Sequence, residues 1–486
     1  MVGLIKNKNF LLGFICLIAF LVFSPSLLGF FTNDDFFHFV TSKAYNLKDF
    51  LNFFNLYYPA TGFPNYRPLA TQFFYFLDWK FFNLNPLPMH IFLFILFFGI
   101  IILVYKIAER LTKSDKTAML TTALYAVSAT HFGQLYFLAT QEIIYGFFFF
   151  LTVRLFIKYL DKKKTVLIVY SFISFLLTLA SKEPAITLPF VLGLVYLFVR
   201  LRDKKRIEVR KIVVVLIPFF VILAGYLYMR FFHYGFAKGD SYLWAFVPKR
   251  IINSLGWYSL WSLNLPEMLV DFVGSGLKFN PNLFRYWSNQ IIPIFVLFVS
   301  QLTLISYLSV KGFKKIFLVR KSALTILFCM GWFVGTLVPV LFLPIHKFTF
   351  YLTVPLFGVA LILGYILSNS PKWMVYLFLG LYFTTSLISL SLTSDISWIT
   401  RGQETAKRVY VHFLMNKQAY SRKTIALTDT QRDGVLPWSP TETVRVILSN
   451  SDFFEVFFPG EFKIIYDKEG IAKGDITLEA RQFLGY

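Results

Sequence analysis

Runs of roughly 20 apolar residues recur along most of the chain, and short polar segments separate them. A helix of about 20 residues is long enough to cross a hydrocarbon core about 30 Å thick. The pattern therefore predicts an all-α polytopic membrane protein with about eleven transmembrane helices. Their expected positions are roughly 10–30, 90–108, 117–136, 140–157, 165–181, 184–200, 212–231, 290–309, 322–343, 348–367 and 373–392.

The pattern changes after residue 393. Residues 401–419 have helical periodicity, whereas residues 424–428 and 462–466 are typical of strands. Ser439-Pro440-Thr441-Glu442 is a capping box with proline at the first helical position, so a helix is expected to start there. The chain is therefore predicted to have two parts, a membrane domain over 1–393 and a small extracytoplasmic α/β domain over 394–486.

Composition agrees with a membrane protein, since 57% of the residues are hydrophobic and the formal net charge is +22. The basic residues cluster in short loops between the apolar runs, which indicates orientation in a bilayer rather than nucleic-acid binding. We predict a multi-pass cell-membrane protein with a cytoplasmic N-terminus and an extracytoplasmic C-terminus. Cys16 and Cys329 both lie in apolar runs and predict no disulfide.

Two large external loops follow from this topology, at 31–89 and 232–289. The second contains the tryptophan-rich stretch 250–272. If this stretch crossed the membrane, the basic cluster at 311–321 would move outside, against the charge rule. A re-entrant or surface helix is therefore preferred there, with a spanning helix as the alternative.

The first external loop carries the most distinctive polar residues. Asp34 and Asp35 directly follow the first apolar run, and Tyr66-Arg67-Pro68-Leu69 precedes the second. Charged groups at this depth are costly unless they face protein or water, so a general base or a metal ligand is one interpretation. The alternative is that Thr32, Asn33 and the two aspartates only cap a following helix.

Further polar residues are expected at the same membrane face, in three other turns. They are His131, Gln134, Gln141 and Glu142; Ser181, Lys182 and Glu183; and His346 and Lys347. Each alone is more typical of an interface anchor. Together they suit attack on a sugar carried by a polyprenyl phosphate, which needs a base for the acceptor proton and positive charge for the leaving phosphate.

These motifs resemble the GT-C superfamily of integral membrane glycosyltransferases, and most of all bacterial relatives of the transmembrane O-mannosyltransferases. The similarity covers roughly residues 10–365 and rests on the acidic pair, Tyr66-Arg67-Pro68-Leu69 and Ser181-Lys182-Glu183-Pro184, with His346-Lys347 as a looser match. It implies a sugar transferred from a polyprenyl-phosphate donor to an extracytoplasmic protein, lipid or glycan.

The resemblance also implies roles for individual residues. Asp34 or Asp35 would be the base, and Arg67, Lys182 and Lys347 would bind the donor phosphate. Glu142 would be the second acidic site, and a divalent cation such as Mg²⁺ or Mn²⁺, if one binds, would use Asp35 and Glu142. Other site candidates are Tyr66, His131, Glu183 and His346.

Two features depart from the family pattern. No acidic residue follows His131 until Glu142, which weakens the prediction of a metal site. Tetratricopeptide repeats of the eukaryotic members have no counterpart within this sequence. The alternatives to a transferase are a transporter or flippase of lipid-linked glycans and an inactive membrane scaffold. A transporter is expected to have internal repeats and ionisable residues in the middle of its spans, and the sequence shows little of either.

Overall fold

A computed structural model describes residues 7–57, 65–235, 242–274, 276, 278–312, 319–436, 438–469 and 474–485. Most of these residues are helical. The helices of the membrane part are α1 (Lys8–Phe23), α2 (Asp34–Val40), α3 (Leu47–Asn52), α4 (Phe74–Phe81), α5 (Pro86–Thr112), α6 (Asp115–Ala126), α7 (Phe132–Tyr136), α8 (Glu142–Lys162), α9 (Thr165–Leu179), α10 (Leu188–Arg202), α11 (Val209–Met229), α12 (Pro248–Trp261), α13 (Leu269–Phe272), α14 (Asn282–Lys311), α15 (Arg320–Leu341), α16 (Leu356–Ser368) and α17 (Lys372–Ile396). A two-stranded antiparallel ribbon, β1 (Val273–Gly274) and β2 (Lys278–Phe279), precedes α14.

The helical membrane architecture is confirmed, but the count of about eleven spans is not. Among the described residues, eight helical segments are long and apolar enough to cross a membrane. They are Lys8–Leu28, Pro86–Thr112, Glu142–Lys162, Glu183–Arg202, Val209–Tyr234, Asn282–Lys311, Arg320–Leu341 and Lys372–Ile396. The apolar helices α9 and α16 are shorter, with 15 and 13 residues.

The span predicted at 117–136 is not one helix. Helix α6 ends at Ala126, and a 3₁₀ turn leads into the five-residue helix α7. Polar contacts explain the break, because Asn264 Oδ1 accepts hydrogen bonds from the Ser128 hydroxyl at 2.9 Å and the Ala129 backbone N–H at 3.0 Å. Asn264 thus replaces the acceptor that the Ala129 N–H would otherwise find within a continuous helix, so the chain can leave the helical path without losing this hydrogen bond.

The tryptophan-rich stretch 250–272 forms the 14-residue helix α12 and the short helix α13. A 14-residue helix is about 21 Å long at 1.5 Å per residue, which is shorter than the hydrocarbon core. Trp257, Tyr258 and Trp261 are buried within the protein. Their aromatic rings therefore pack in the bundle rather than at the membrane interface.

The C-terminal part is a small α/β unit. Its helices are α18 (Trp398–Met415), α19 (Lys417–Tyr420), α20 (Pro440–Ile447) and α21 (Asp452–Phe457), and its strands are β3 (Thr424–Thr428), β4 (Lys463–Asp467) and β5 (Ile476–Glu479). The strands form a parallel sheet in the order β4-β3-β5. Strand β3 has the predicted bounds, and the Ser439 hydroxyl caps α20 by accepting the Glu442 backbone N–H at 3.1 Å.

This unit packs directly on the segment that carries the acidic pair. The Asn33 backbone N–H donates to the Ile447 carbonyl at 2.7 Å. The ring of Phe36 lies edge-on to that of Phe453, with centroids 5.1 Å apart. Gly402 on α18 allows the close approach, because a Cβ there would lie 2.4 Å from Thr32 Oγ1. The C-terminal part therefore helps to fix the position of α2.

Candidate functional site

The acidic pair opens helix α2, where the two carboxylates face different surroundings. Asn33, the residue before the helix, has φ 50° and ψ −121°, a conformation that is strained for a side chain other than glycine. Asp35 is fully buried. Its carboxylate accepts the Thr32 backbone N–H at 2.8 Å and the Tyr75 hydroxyl. Burial raises the pKa of Asp35 to about 7, although these two hydrogen bonds favour the ionised form.

Asp34 is exposed and lines a cavity of about 190 Å³. The surrounding protein raises the pKa of Asp34 by restricting its hydration, and the Arg67 guanidinium partly offsets that effect. The other residues of the lining are mostly polar and come from five regions of the chain: Phe37, His38, Asn65, Arg67, Thr71, Ala139, Gln141, Tyr242 and Ser449. Asp34 is the carboxylate that a molecule in this cavity can reach. We call it the acidic cavity.

Arg67 forms the opposite side of this cavity and is held by a bidentate ion pair. Its Nε lies 2.9 and 3.0 Å from the two carboxylate oxygens of Glu183, and its Nη2 lies 2.7 Å from Oε2. Its Nη1 donates to Gln141 Oε1 at 2.8 Å. The Leu69 backbone N–H donates to the Ala180 carbonyl at 3.0 Å, so the Tyr-Arg-Pro-Leu and Ser-Lys-Glu motifs are packed against each other.

Lys182 and Glu142 form a second ion pair, which is almost fully buried, with Nζ 2.8 Å from Oε1. Lys182 Nζ also donates to the Thr140 carbonyl at 2.5 Å. The rings of Phe350 and Tyr351 each lie 5.2 Å from Nζ, a favourable cation–π distance. Burial lowers the pKa of Lys182, and the Glu142 carboxylate opposes that shift. The ammonium group is therefore positioned by an acid, a carbonyl and two aromatic faces.

A second and larger cavity has a volume of about 720 Å³, and Arg67 and Lys182 both line it. Asn65, Arg67 and Tyr242 line both cavities, so the two meet at Arg67. The larger one runs between the spans Glu183–Arg202, Val209–Tyr234 and Arg320–Leu341. Its wall away from Arg67 is apolar and includes Phe190, Leu194, Leu227, Phe231, Val338 and Pro339. We call it the apolar cavity.

Arg230 is a cation of this site that sequence reasoning missed, because it lies at the end of a predicted span. It lines the apolar cavity, and its Nη1 donates to Asn65 Oδ1 at 3.0 Å. A local π-helical turn, Arg230–Tyr234, follows α11 and turns the side chain toward the cavity. The sequence did contain a signal for Arg230, because a charged residue within an apolar run often has a functional role.

The remaining predicted residues lie around the site rather than in its centre. His346 stacks on Tyr242, with ring centroids 4.4 Å apart, and burial lowers the pKa of His346 to about 4. Lys347 donates to Asn253 Oδ1 at 3.1 Å and is outside the linings of both cavities. The Tyr66 hydroxyl donates to the Phe54 carbonyl at 3.1 Å. The structure thus gives Lys347 and Tyr66 other partners.

His131 is buried and is hydrogen-bonded through both ring nitrogens. Nδ1 lies 2.6 Å from Gln134 Oε1, and Nε2 lies 2.7 Å from the Tyr125 carbonyl. The ring also packs against Phe97. These contacts make His131 a part of the packed core next to the break between α6 and α7.

Sequence reasoning did not select His38, and it named Gln141 only as a polar neighbour of Glu142. Both line the acidic cavity, and Gln141 Nε2 lies 3.2 Å from His38 Nε2. The available signal for His38 was its position four residues after Asp34, which places both side chains on one face of a helix.

The residues named for a divalent cation do not fit that role in this arrangement. Asp35 accepts hydrogen bonds from Thr32 and Tyr75, and Glu142 is paired with Lys182. Within the described ranges, no three His, Cys, Asp or Glu side chains are grouped closely enough to hold a metal ion.

Comparison with known proteins supports the class of protein that the motifs indicated. Residues 67–228, about a third of the chain, match the model of the dolichyl-phosphate-mannose-protein mannosyltransferase family. No protein of curated function matches the chain.

One solved structure that resembles the chain is the apo oligosaccharyltransferase of Archaeoglobus fulgidus, with a TM-score of 0.47 and 12% identity. The similar region covers 96% of this chain and 65% of that protein, so the chain spans just under two thirds of its length. The described residues contain eight helical segments that are long and apolar enough to cross a membrane, and residues 67–228 match the mannosyltransferase family. The resemblance to GT-C membrane glycosyltransferases is therefore confirmed.

Proposed function

We propose that this protein transfers a sugar, with mannose the first candidate, from a polyprenyl-phosphate donor to an extracytoplasmic hydroxyl acceptor. The observation that carries the proposal is the meeting of an apolar cavity and an acidic cavity at Arg67. A polyprenyl-phosphate sugar has an apolar tail, a charged phosphate and a reactive sugar, in that order. The apolar cavity, the cations and Asp34 follow in the same order.

On the donor side, the apolar cavity is suited to the first part of the lipid tail. It is bounded by three membrane spans, so a lipid can remain in the bilayer while its head group lies at Arg67. Arg67, Lys182 and Arg230 all contribute to its lining. Fixed positive charge in a water-poor site stabilises the phosphate as it leaves the sugar.

On the acceptor side, Asp34 is the proposed general base. The acceptor oxygen forms a bond to the anomeric carbon while the bond from that carbon to the phosphate oxygen breaks. The acceptor proton passes to the Asp34 carboxylate, and the electron pair of the broken bond remains on the polyprenyl phosphate. The raised pKa of Asp34 makes it a stronger proton acceptor than an ordinary surface aspartate.

Asp35 is proposed to position the loop rather than to react. Both of its oxygens accept hydrogen bonds from within the protein, and its side chain is fully buried. Of the two aspartates considered from the sequence, Asp34 is therefore the preferred base.

The test is turnover of a polyprenyl-phosphate mannose by the purified full-length chain in lipid nanodiscs, beside the Asp34→Asn variant. We expect wild type to release polyprenyl phosphate and the variant to bind the donor without releasing it. Glu479→Gln, an exposed carboxylate-to-amide change in the C-terminal part and outside both cavities, is the matched control. Two results together would favour the transporter instead. They are the absence of turnover with every hexosyl donor and the movement of lipid-linked glycan across the membrane of vesicles that contain the protein.

Metal dependence is tested in the same assay. Chelation that abolishes turnover, with recovery on addition of Mg²⁺ or Mn²⁺, would indicate a cation bound together with the substrate. Turnover that does not change on addition of chelator would indicate that arginine and lysine side chains alone stabilise the charge of the phosphate. The C-terminal part is proposed to influence acceptor choice, because Ser449 contributes to the acidic cavity.

A further inference from the structure

The Gln141 side chain joins two other residues of the acidic cavity, Arg67 and His38, through a directional pair of hydrogen bonds. On one side Gln141 Oε1 accepts from Arg67 Nη1 at 2.8 Å. On the other side Gln141 Nε2 lies 3.2 Å from His38 Nε2. Since a guanidinium can only donate, Arg67 requires the amide oxygen on its side and thereby turns the amide NH₂ toward His38.

This orientation determines the protonation state of His38. An amide NH₂ only donates, so His38 Nε2 has to accept and cannot carry a proton. The ring is then neutral with its proton on Nδ1. The protein encloses that nitrogen, and it has no hydrogen-bond partner among the described residues. Burial and the positive charge of Arg67 act in the same direction and lower the pKa of His38 to about 3.

The backbone of Gln141 indicates that its position is specifically maintained. The residue is buried and has φ 57°, in the left-handed region that glycine and asparagine occupy more readily. Non-glycine residues in sparsely populated backbone regions persist where the surrounding structure requires them, often at functional sites. Here the left-handed turn places the amide between Arg67 and His38, immediately before helix α8.

The groups around His38 explain why its charge matters. Asp34 and Asp35 lie on its own helix, and the Tyr75 ring lies 5.2 Å away. Gln141 contacts it directly, and Arg67 lines the same cavity. Asp34 is four residues earlier on α2, at the spacing at which a carboxylate and a cation pair. A protonated His38 would pair with the Asp34 carboxylate in the place that the acceptor hydroxyl needs.

We propose that Gln141 is a positioning residue that holds His38 uncharged, with its proton on Nδ1, and so keeps the Asp34 carboxylate accessible to the acceptor. The role of Asp34 as base rests on the function proposed above, whereas the state of His38 does not. Arg67 has two roles in this proposal. It orients the Gln141 amide, and it lies where the donor phosphate is expected.

The first experiment measures the state of His38 directly. The full chain has six histidines, so ¹⁵N-histidine labelling in nanodiscs gives a small spectrum, and loss of signals in His38→Gln assigns His38. We expect a neutral ring with protonated Nδ1 at pH 7. In Gln141→Glu, a carboxylate that only accepts replaces the amide, and we expect the proton to appear on Nε2. Gln431→Glu, an exposed site in the C-terminal part, is the matched control and leaves the His38 signals unchanged.

A charged His38 in wild type, a proton on its Nε2, or His38 signals that do not respond to Gln141→Glu would overturn the proposal. This result does not depend on whether the protein is a glycosyltransferase. The second experiment compares sugar transfer by His38→Gln and His38→Lys. Glutamine is uncharged and accepts the Gln141 N–H, whereas lysine places a permanent cation beside Asp34.

We expect kcat of His38→Lys to be at least about tenfold below that of His38→Gln, with similar KM for the donor. Equal kcat for the two variants would contradict the role given to the uncharged ring. Inactivity of wild type with every donor would instead reject the proposed function and leave the histidine spectrum as the separate test of Gln141.

Discussion

The two neighbouring aspartates give the sharpest prediction, because asparagine should affect them in different ways. At Asp34 the substitution removes a proton acceptor from the acidic cavity while leaving shape and size unchanged. A positioned general base contributes about 10²- to 10⁴-fold to a rate. We therefore expect Asp34→Asn to lower kcat by about that factor, with donor affinity and thermal stability close to wild type.

At Asp35 the same substitution removes an acceptor from a fully buried position. One carboxylate oxygen accepts the Thr32 N–H and the other accepts the Tyr75 hydroxyl, whereas an amide offers only one oxygen. One of these two donors therefore meets an NH₂ group in place of its acceptor, which costs about 1–3 kcal/mol. We expect Asp35→Asn to lower the stability of the folded protein by that amount and to reduce turnover through misplacement of α2.

The assay combines three measurements on each variant in the same nanodiscs: donor binding, release of polyprenyl phosphate, and the thermal unfolding transition. Glu479→Gln serves as the control for an exposed carboxylate-to-amide change. The assignment of the base would be refuted if Asp34→Asn kept wild-type kcat. It would be reversed if Asp35→Asn lost turnover by 10²-fold or more, about the contribution of a general base, at unchanged stability.

Three further predictions follow from the same contacts. Lys182→Met leaves the buried Glu142 carboxylate unpaired and should destabilise the fold by about 3–5 kcal/mol, whereas adding Glu142→Gln should restore stability but not donor affinity; a double-mutant unfolding cycle checks both. Gly402→Ala should lower kcat with little change in donor binding, since its Cβ would lie 2.4 Å from a hydroxyl beside the acidic pair, while Gly434→Ala, with open space around it, should behave as wild type in the transfer assay. Folding raises the pKa of Asp35 from 3.8 to about 7, so the unfolded chain loses this proton at a lower pH than the folded protein does. The free energy of unfolding should therefore fall as pH rises from about 4 to about 7. Asp35→Asn should flatten that part of the stability profile in a pH series of unfolding measurements.

Much of the fold could be predicted because it depends on local composition. Apolar runs of membrane length mark most of the long helices. In the C-terminal part, a short apolar stretch between two threonines marks strand β3, and a capping box marks the start of helix α20. The break after Ala126 could not be predicted in the same way. It depends on Asn264, which is more than 100 residues away in sequence and supplies the acceptor for the residues at the break.

The sequence singled out most of the charged residues that the structure brings together in the candidate site, but not their geometry. Adjacent aspartates look equivalent in sequence, and only the packing of Tyr75 and Thr32 makes one of them a buried acceptor. The importance of Gln141 was hard to predict from the sequence, because the role of an uncharged amide depends on the two residues to which it is hydrogen-bonded. Lys347, in contrast, has the expected charge and a different partner in Asn253.

The charge balance of the candidate site explains how it can remain folded without substrate and still be suited to the proposed donor phosphate. Each buried cation has its own acid, with Glu183 paired to Arg67 and Glu142 paired to Lys182. An unpaired charge at such depth would be strongly destabilising, so these acids hold the cations in position before the donor arrives. The proposed donor phosphate would add negative charge in the cavity that the two paired cations and Arg230 line. The acids then keep the guanidinium and ammonium groups fixed, so that little reorganisation is needed as the phosphate gains charge in the reaction. On this reasoning, removing Glu183 should weaken catalysis more than donor binding, because an unanchored Arg67 can follow the phosphate but no longer orients Gln141.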